Sequence, residues 1–197
     1  MNSYQPEIDD ALILLRALQA PQQLQTLPPY AEHGAEVDED LVQQVLTEAG
    51  KFVAEVVAPL NRDGYEIGCR HELKDGSGHV TTPPGFRDAY QAFWQAGWPA
   101  LSAASEHGGQ GLPVVLEAIL FEMLSAANHG WTMAPGLLHG AYECIKHHAS
   151  DELKAQYLEK VATGEWLATM CLTEPHAGSD LGPVSYTHLT LPTTSRV

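Results

Sequence analysis

Basic residues are scarce: ten Lys and Arg stand against 25 Asp and Glu, a formal charge of -15 over 197 residues. Such a field repels phosphate backbones and anionic membrane surfaces, so nucleic acid and charged lipid are poor first partners. Long apolar runs are missing too. The longest, such as Ala11 to Leu15, fall far short of the roughly 20 residues that a bilayer span requires. Met1-Asn2-Ser3-Tyr4 carries no basic leader region, and a cytoplasmic protein is expected. Cysteine is rare and unpatterned. Cys69, Cys144 and Cys171 are an odd number at wide spacings, which excludes a disulfide framework or a zinc site and leaves small core residues or bystander thiols.

What is present is an ordinary globular composition, 44% hydrophobic and 18% charged, in a chain long enough for one domain or one and the start of a second. Helical periodicity dominates. Ile8, Ala11, Leu12, Leu15 and Leu18 predict an amphipathic helix over 7–19, after which Pro21, Pro28 and Pro29 predict an extended connector. A longer helix is expected from Asp38–Asp40, with Leu41, Val42, Val45, Ala49, Phe52, Val53 and Val56 inward and Pro59 near its end. Residues 61–82 are polar and Gly-rich and predict a loop or loose hairpin. Helices are then expected from Pro84 to Gly97, after Pro113 in an N1 position, over 136–148, and over 151–162 between Ser150 and Gly164. Only 166–173 reads as a strand.

Ten histidines raise a metal reading, but there is no H-E-x-x-H and no C-x-x-C, and Glu143 lies four residues from His147 instead of three. Gly108, Gly109 and Gly111 lack the P-loop lysine and a preceding strand, so this loop reads as a structural turn. No G-x-S-x-G elbow is present for a nucleophile. The informative stretch is Met170 to Gly182, where Thr173 and Ser179 offer hydroxyls, Gly178 permits close backbone approach and Pro175 fixes the entry of a turn. From residue chemistry alone, a ligand-gripping turn and an ordinary strand exit remain equally open.

Cys171-Leu172-Thr173-Glu174-Pro175-His176-Ala177-Gly178-Ser179-Asp180 resembles the T-E-P-x-A-G-S-D signature of the acyl-CoA dehydrogenase family. Gly97-Trp98 followed by Glu106-His107-Gly108-Gly109-Gln110-Gly111 resembles that family's G-W…E-x-G-G-x-G pattern in order and distance. Tyr4-Gln5-Pro6, Asp9-Asp10 and His176 resemble the long subgroup that includes 3-methylmercaptopropionyl-CoA dehydrogenases. The resemblance implies an all-α N-terminal helical domain followed by the first strand of a truncated β-domain. It implies FAD as cofactor, with Met170, Cys171, Leu172 and Thr173 along the flavin and the Thr173 hydroxyl near its N5 and O4 edge. Ser179 is implied at the FAD diphosphate region and the thioester ligand. The implied reaction is α,β-dehydrogenation of an acyl-CoA, with hydride passing to flavin N5 and electrons to an electron-transfer flavoprotein. The full-length protein is then a homo-oligomer, and its glutamate base lies in a C-terminal bundle beyond this chain, so no catalytic residue is assigned here. An acyl-CoA oxidase and a non-catalytic helical interaction or acyl-carrier-binding module are the alternatives. Trp131 to His139 reads as core packing first and as acyl-pocket lining second.

The expected organisation is an extension helix and connector over 1–35, a helical domain over 36–165, the start of a β-domain over 166–183, and a tail over 184–197. Val184 to Thr193 can be encoded by a sequence resembling a transposon-end sequencing adapter, and the tail is expected to derive from one.

Overall fold

The computed structural model describes residues 4–24, 26, 27, 37–74, 76–171, 173 and 177–180. The first helix, α1 (Ile8–Ala17), begins with Asp9 and Asp10 and closes with Arg16, charges that oppose the helix dipole at both ends. A short helix, α2 (Ala20–Leu24), follows where an extended connector was predicted. Pro21 lies in its first turn, where the missing N–H has no intrahelical partner to lose. Pro28 and Pro29 lie outside the described residues.

The long helix α3 (Glu39–Phe52) is capped by Asp38, whose carboxylate accepts from the Leu41 N–H at 2.8 Å. Pro59 does not end it. The chain widens into a π-helical turn (Val53–Val57), tightens into a 3-10 turn (Ala58–Leu60) and runs on as α4 (Asn61–Ile67). Pro59 has no N–H for the ladder, and the slipped register absorbs that loss without breaking the helical path. So the first part of 61–82, expected as loop, is helical. The second part is an antiparallel hairpin, β1 (Arg70–Lys74) with β2 (Ser77–Thr81), pairing Arg70 with Thr81 and Lys74 with Ser77. Leu73 and Val80 point outward, so the hairpin stands off the body.

Helix α5 (Phe86–Gln95) starts at Gly85, and α6 (Val114–Thr132) starts one residue after Pro113, which takes an extended cap conformation instead of the expected N1 place. Two further helices, α7 (Leu138–His148) and α8 (Asp151–Ala162), form a hairpin; Ser150 caps α8 by accepting from the Leu153 N–H, and Gly164 turns the chain away with φ +77°. No strand forms at 166–171 or 173. A strand exists only through ladder hydrogen bonds to a neighbour, and the β1–β2 hairpin is the one sheet among the described residues.

The buried residues divide into two clusters. The larger joins α1, α3, α5 and α6 around Phe93, which is fully buried and meets Trp131 edge-on at 5.4 Å, Phe52 at 5.9 Å and Phe121 edge-on at 6.5 Å. The apolar face expected after Pro113 comprised Leu116, Ile119, Leu120, Met123 and Leu124; all are buried in α6 except Ile119, which is partly buried against the same cluster. The smaller cluster joins α7 and α8 through Leu138, Tyr142, Leu158, Val161 and Ala162, with Ala103 beneath. Cys69, Cys144 and Cys171 are all exposed free thiols, so none is the small core residue that was one expectation. No helix among the described residues is long and apolar enough to cross a membrane.

Candidate functional site

The glycine loop is a closed structural device. Gln110, Gly111 and Leu112 donate their N–H groups to the carbonyls of Ala100, Ala103 and Leu101 at 2.9, 2.9 and 2.8 Å, and Gly109 donates to Ala104 at 3.0 Å. A Cβ on Gly109 would lie 1.9 Å from the Ala103 oxygen. With these amides taken up inside the loop, no anion cradle is left, as the turn reading of the sequence expected. His107 Nδ1 and the Ala104 N–H both reach the Tyr142 hydroxyl, at 3.0 and 3.1 Å, which ties the loop to α7.

The chain leaving α8 carries the residues singled out by motif. Trp166 anchors it: its N–H donates to the Lys160 carbonyl at 3.0 Å, its ring lies 5.8 Å from Tyr157, and the Lys160 ammonium sits 4.8 Å over it. Ala168 packs on the smaller cluster, while Leu167 faces a cavity and Met170 is 66% exposed. Cys171, Thr173 and Ser179 are exposed; Leu172 and Glu174 to His176 lie outside the described residues. Cys171 Sγ is 3.9 Å from Thr169 Oγ1. Gly178 takes φ +57° and a Cβ there would meet nothing within 4 Å. The segment thus presents a thioether, a thiol and two hydroxyls to solvent, with no side chain at Gly178 to fill its turn.

Beside this segment lies a cavity of about 610 Å³ between β2, α5, the end of α6 and Leu167. Its aromatic walls turn their polar atoms into the protein. The Trp131 indole N–H donates to the Phe86 carbonyl at 3.1 Å, and the Tyr90 hydroxyl donates to the Gly164 carbonyl at 2.6 Å. What faces inward is apolar apart from Arg87, Thr81 and Thr82. Of the Trp131 to His139 stretch, Trp131 and Pro135 are buried and also line this cavity, Leu138 belongs to the smaller cluster, and Met133 is exposed.

Burial pushes the Tyr90 phenol up from 10.0 to about 12. The folded state therefore holds this proton more tightly than the unfolded chain, so the contribution is complete below pH 10 and is lost as pH rises from there through about 12. Alkaline unfolding monitored by circular dichroism should set in earlier for wild type than for Tyr90→Phe relative to their own neutral-pH stabilities. Equal pH profiles would contradict this assignment.

Two polar clusters escaped the reading of the sequence. Glu117, buried on α6, accepts from the Ser102 hydroxyl and lies 3.2 Å from His139 Nδ1, so the α7–α8 hairpin is pinned to the larger core. Its signal was a lone carboxylate between Leu116 and Leu120 on an otherwise apolar stripe. Asn128 interrupts α6 with φ -159° and ψ 82°; its amide reaches the Val57 carbonyl at 3.4 Å and its Oδ1 accepts from the Trp131 N–H at 3.1 Å.

Residues 39–165 match the family model described as "Acyl-CoA dehydrogenase, N-terminal domain". A 3-methylmercaptopropionyl-CoA dehydrogenase of Ruegeria pomeroyi is 38% identical over 185 residues, 94% of this chain and 30% of that protein. A butyryl-CoA dehydrogenase of Syntrophomonas wolfei is 40% identical over 136 residues, 68% of this chain and 22% of that one. A solved structure described as the electron transferring flavoprotein of Acidaminococcus fermentans shares the fold, with a TM-score of 0.54 at 24% identity, over 70% of this chain and 32% of the other. The chain thus spans less than a third of the length of these relatives.

Proposed function

Because the chain belongs to the acyl-CoA dehydrogenase family, we propose that it is the N-terminal helical part of an FAD-dependent enzyme that oxidises an acyl-CoA thioester between its α and β carbons. The observation that carries the reading is the family match over 39–165, continued by the exposed motif segment that leaves α8. In this reading 36–165 is the helical domain, 166–183 begins a β-domain and 184–197 is an added tail. FAD, when bound, supplies the hydride acceptor at its N5.

Residues of this chain hold and orient. Met170, Cys171, Leu172 and Thr173 would hold the flavin, with the Thr173 hydroxyl offered as a hydrogen-bond donor near N5 and O4. Ser179 would serve the FAD diphosphate and the thioester ligand. An acyl-CoA is the substrate and an electron-transfer flavoprotein the acceptor. No residue of the chain is assigned as the base that takes the α-proton.

The helical part alone exposes one side of such a site, as the solvent-facing Leu167 and Met170 illustrate. The purified 197-residue chain is therefore expected to lose FAD on gel filtration, to reduce no acceptor dye with acyl-CoA and to self-associate through its open apolar surface. Acyl-CoA-dependent dye reduction by this chain would overturn the proposal.

A further inference from the structure

The N-terminal helix α1 is apolar on two sides. Leu12 and Leu15 are buried against α3 and α6, while Leu14 and Leu18, one turn apart, are 63% and 64% exposed. Between this outer side and α6 runs a groove of about 510 Å³, floored by Leu15, Leu46, Ile119 and Met123. Its mouth is acidic: Glu7 and Asp10 come from α1 and its approach, Glu122 from α6, and all three are exposed. Among the described residues, no Lys, Arg or His lines it. Arg16, the cation of α1, is held on the outside by Glu39. Two of the rim carboxylates act on Tyr4 in the same groove: burial first, then the charges of Glu122 and Glu7, push its phenol up.

Apolar floor and single-sign rim together define the partner. A second copy docked groove to groove would bring Glu7, Asp10 and Glu122 against the same carboxylates, which is repulsive at this surface. A helix with apolar side chains at i, i+3/i+4 and cationic flanks satisfies both features at once. We propose that the groove between α1 and α6 is a docking site for a cationic amphipathic helix of a protein partner. Its apolar face fills the floor between Leu14, Leu18 and Met123, and its ammonium or guanidinium groups meet Glu7, Asp10 and Glu122. This surface is separate from the motif segment and its cavity.

The test is fluorescence anisotropy of a labelled Leu/Lys amphipathic peptide of about 15 residues, titrated with the full chain at about 150 mM salt. Saturable binding is expected, weakened about ten-fold by Glu122→Lys and by Leu14→Asp. Both positions are exposed, so the variants keep their helical circular dichroism, and Glu152→Lys on α8 leaves binding unchanged. Several results would overturn the proposal: no binding, equal binding of a scrambled peptide of the same composition, equal binding of a Leu/Glu peptide, or indifference to the two groove variants. Light scattering decides the remaining occupant. A dimer that Leu14→Asp returns to monomer would make a second copy the ligand of this groove and overturn the cationic partner.

Discussion

Gly109→Ala is expected to destabilise the chain by about 3 kcal/mol or more, an effect whose sign is the informative part. At an unstrained position, exchanging Gly for Ala stabilises by roughly 0.4–1 kcal/mol, because the unfolded chain has less freedom to lose. Gly109 has no positive φ to explain a penalty. The penalty is contact: its Cβ would lie 1.9 Å from the Ala103 oxygen and 2.2 Å from the Ala103 carbon. Backbone atoms cannot step aside as a flexible side-chain end would. The loop must open, and with it go the hydrogen bonds from Gly109, Gln110, Gly111 and Leu112 to 100–104. The contrast is Gly140→Ala in α7, where nothing lies within 4 Å and helix propensity alone predicts a gain of up to about 1 kcal/mol. Urea denaturation of the pair checks both signs. A stable Gly109→Ala would mean that the loop is not closed on itself.

Phe93→Ala is expected to cost about 3–5 kcal/mol. Phe93 is fully buried, and three rings converge on it from α3 and α6. Truncation removes apolar burial and edge-to-face contacts together and leaves a cavity whose walls are large rings on separate helices, which collapse poorly. Trp131 then loses its support on the side opposite the 610 Å³ cavity, so near-ultraviolet circular dichroism should weaken along with the denaturation midpoint. A loss under about 1 kcal/mol would contradict the place of Phe93 at the centre of the larger core.

Helix ends and faces were legible wherever a local cause sets them. Asp38 and Ser150 cap helices at the places where helices were expected to begin, Gly164 closes α8, and the apolar spacing of α6 became its buried face. Proline misled twice, because its meaning depends on register. In α2 the missing N–H of Pro21 falls where the helix needs none, and at Pro59 a π-helical turn changes which carbonyls need partners. The run 166–173 read as a strand, but a ladder depends on a second segment that no local pattern supplies. The exposed thiols follow the same rule, since composition carries a tendency and not an address.

The candidate site was legible in a different way. Residue chemistry left Thr173, Gly178 and Ser179 undecided between a ligand turn and a strand exit, and the resemblance of the whole motif weighed in favour of the first. The structure adds that Met170, Cys171, Thr173 and Ser179 are open to solvent, and that Leu167, at the head of the segment, lines a largely apolar cavity. Glu117 and Asn128 went unread because a polar residue on a buried stripe declares only that a partner exists. Ser102 and His139, 15 residues before and 22 after Glu117, are brought to it by the fold alone.

The most direct test of the account is a chimera in which residues 1–180 replace the matching stretch of the Ruegeria pomeroyi relative, with which the chain shares 38% identity over 185 residues. The chimera is expected to retain FAD through gel filtration and to reduce an acceptor dye in an acyl-CoA-dependent way, with Thr173→Val lowering turnover. A chimera that folds and yet fails to hold FAD, or holds it and turns over no acyl-CoA, would contradict the assignment of this chain as the N-terminal part of such an enzyme.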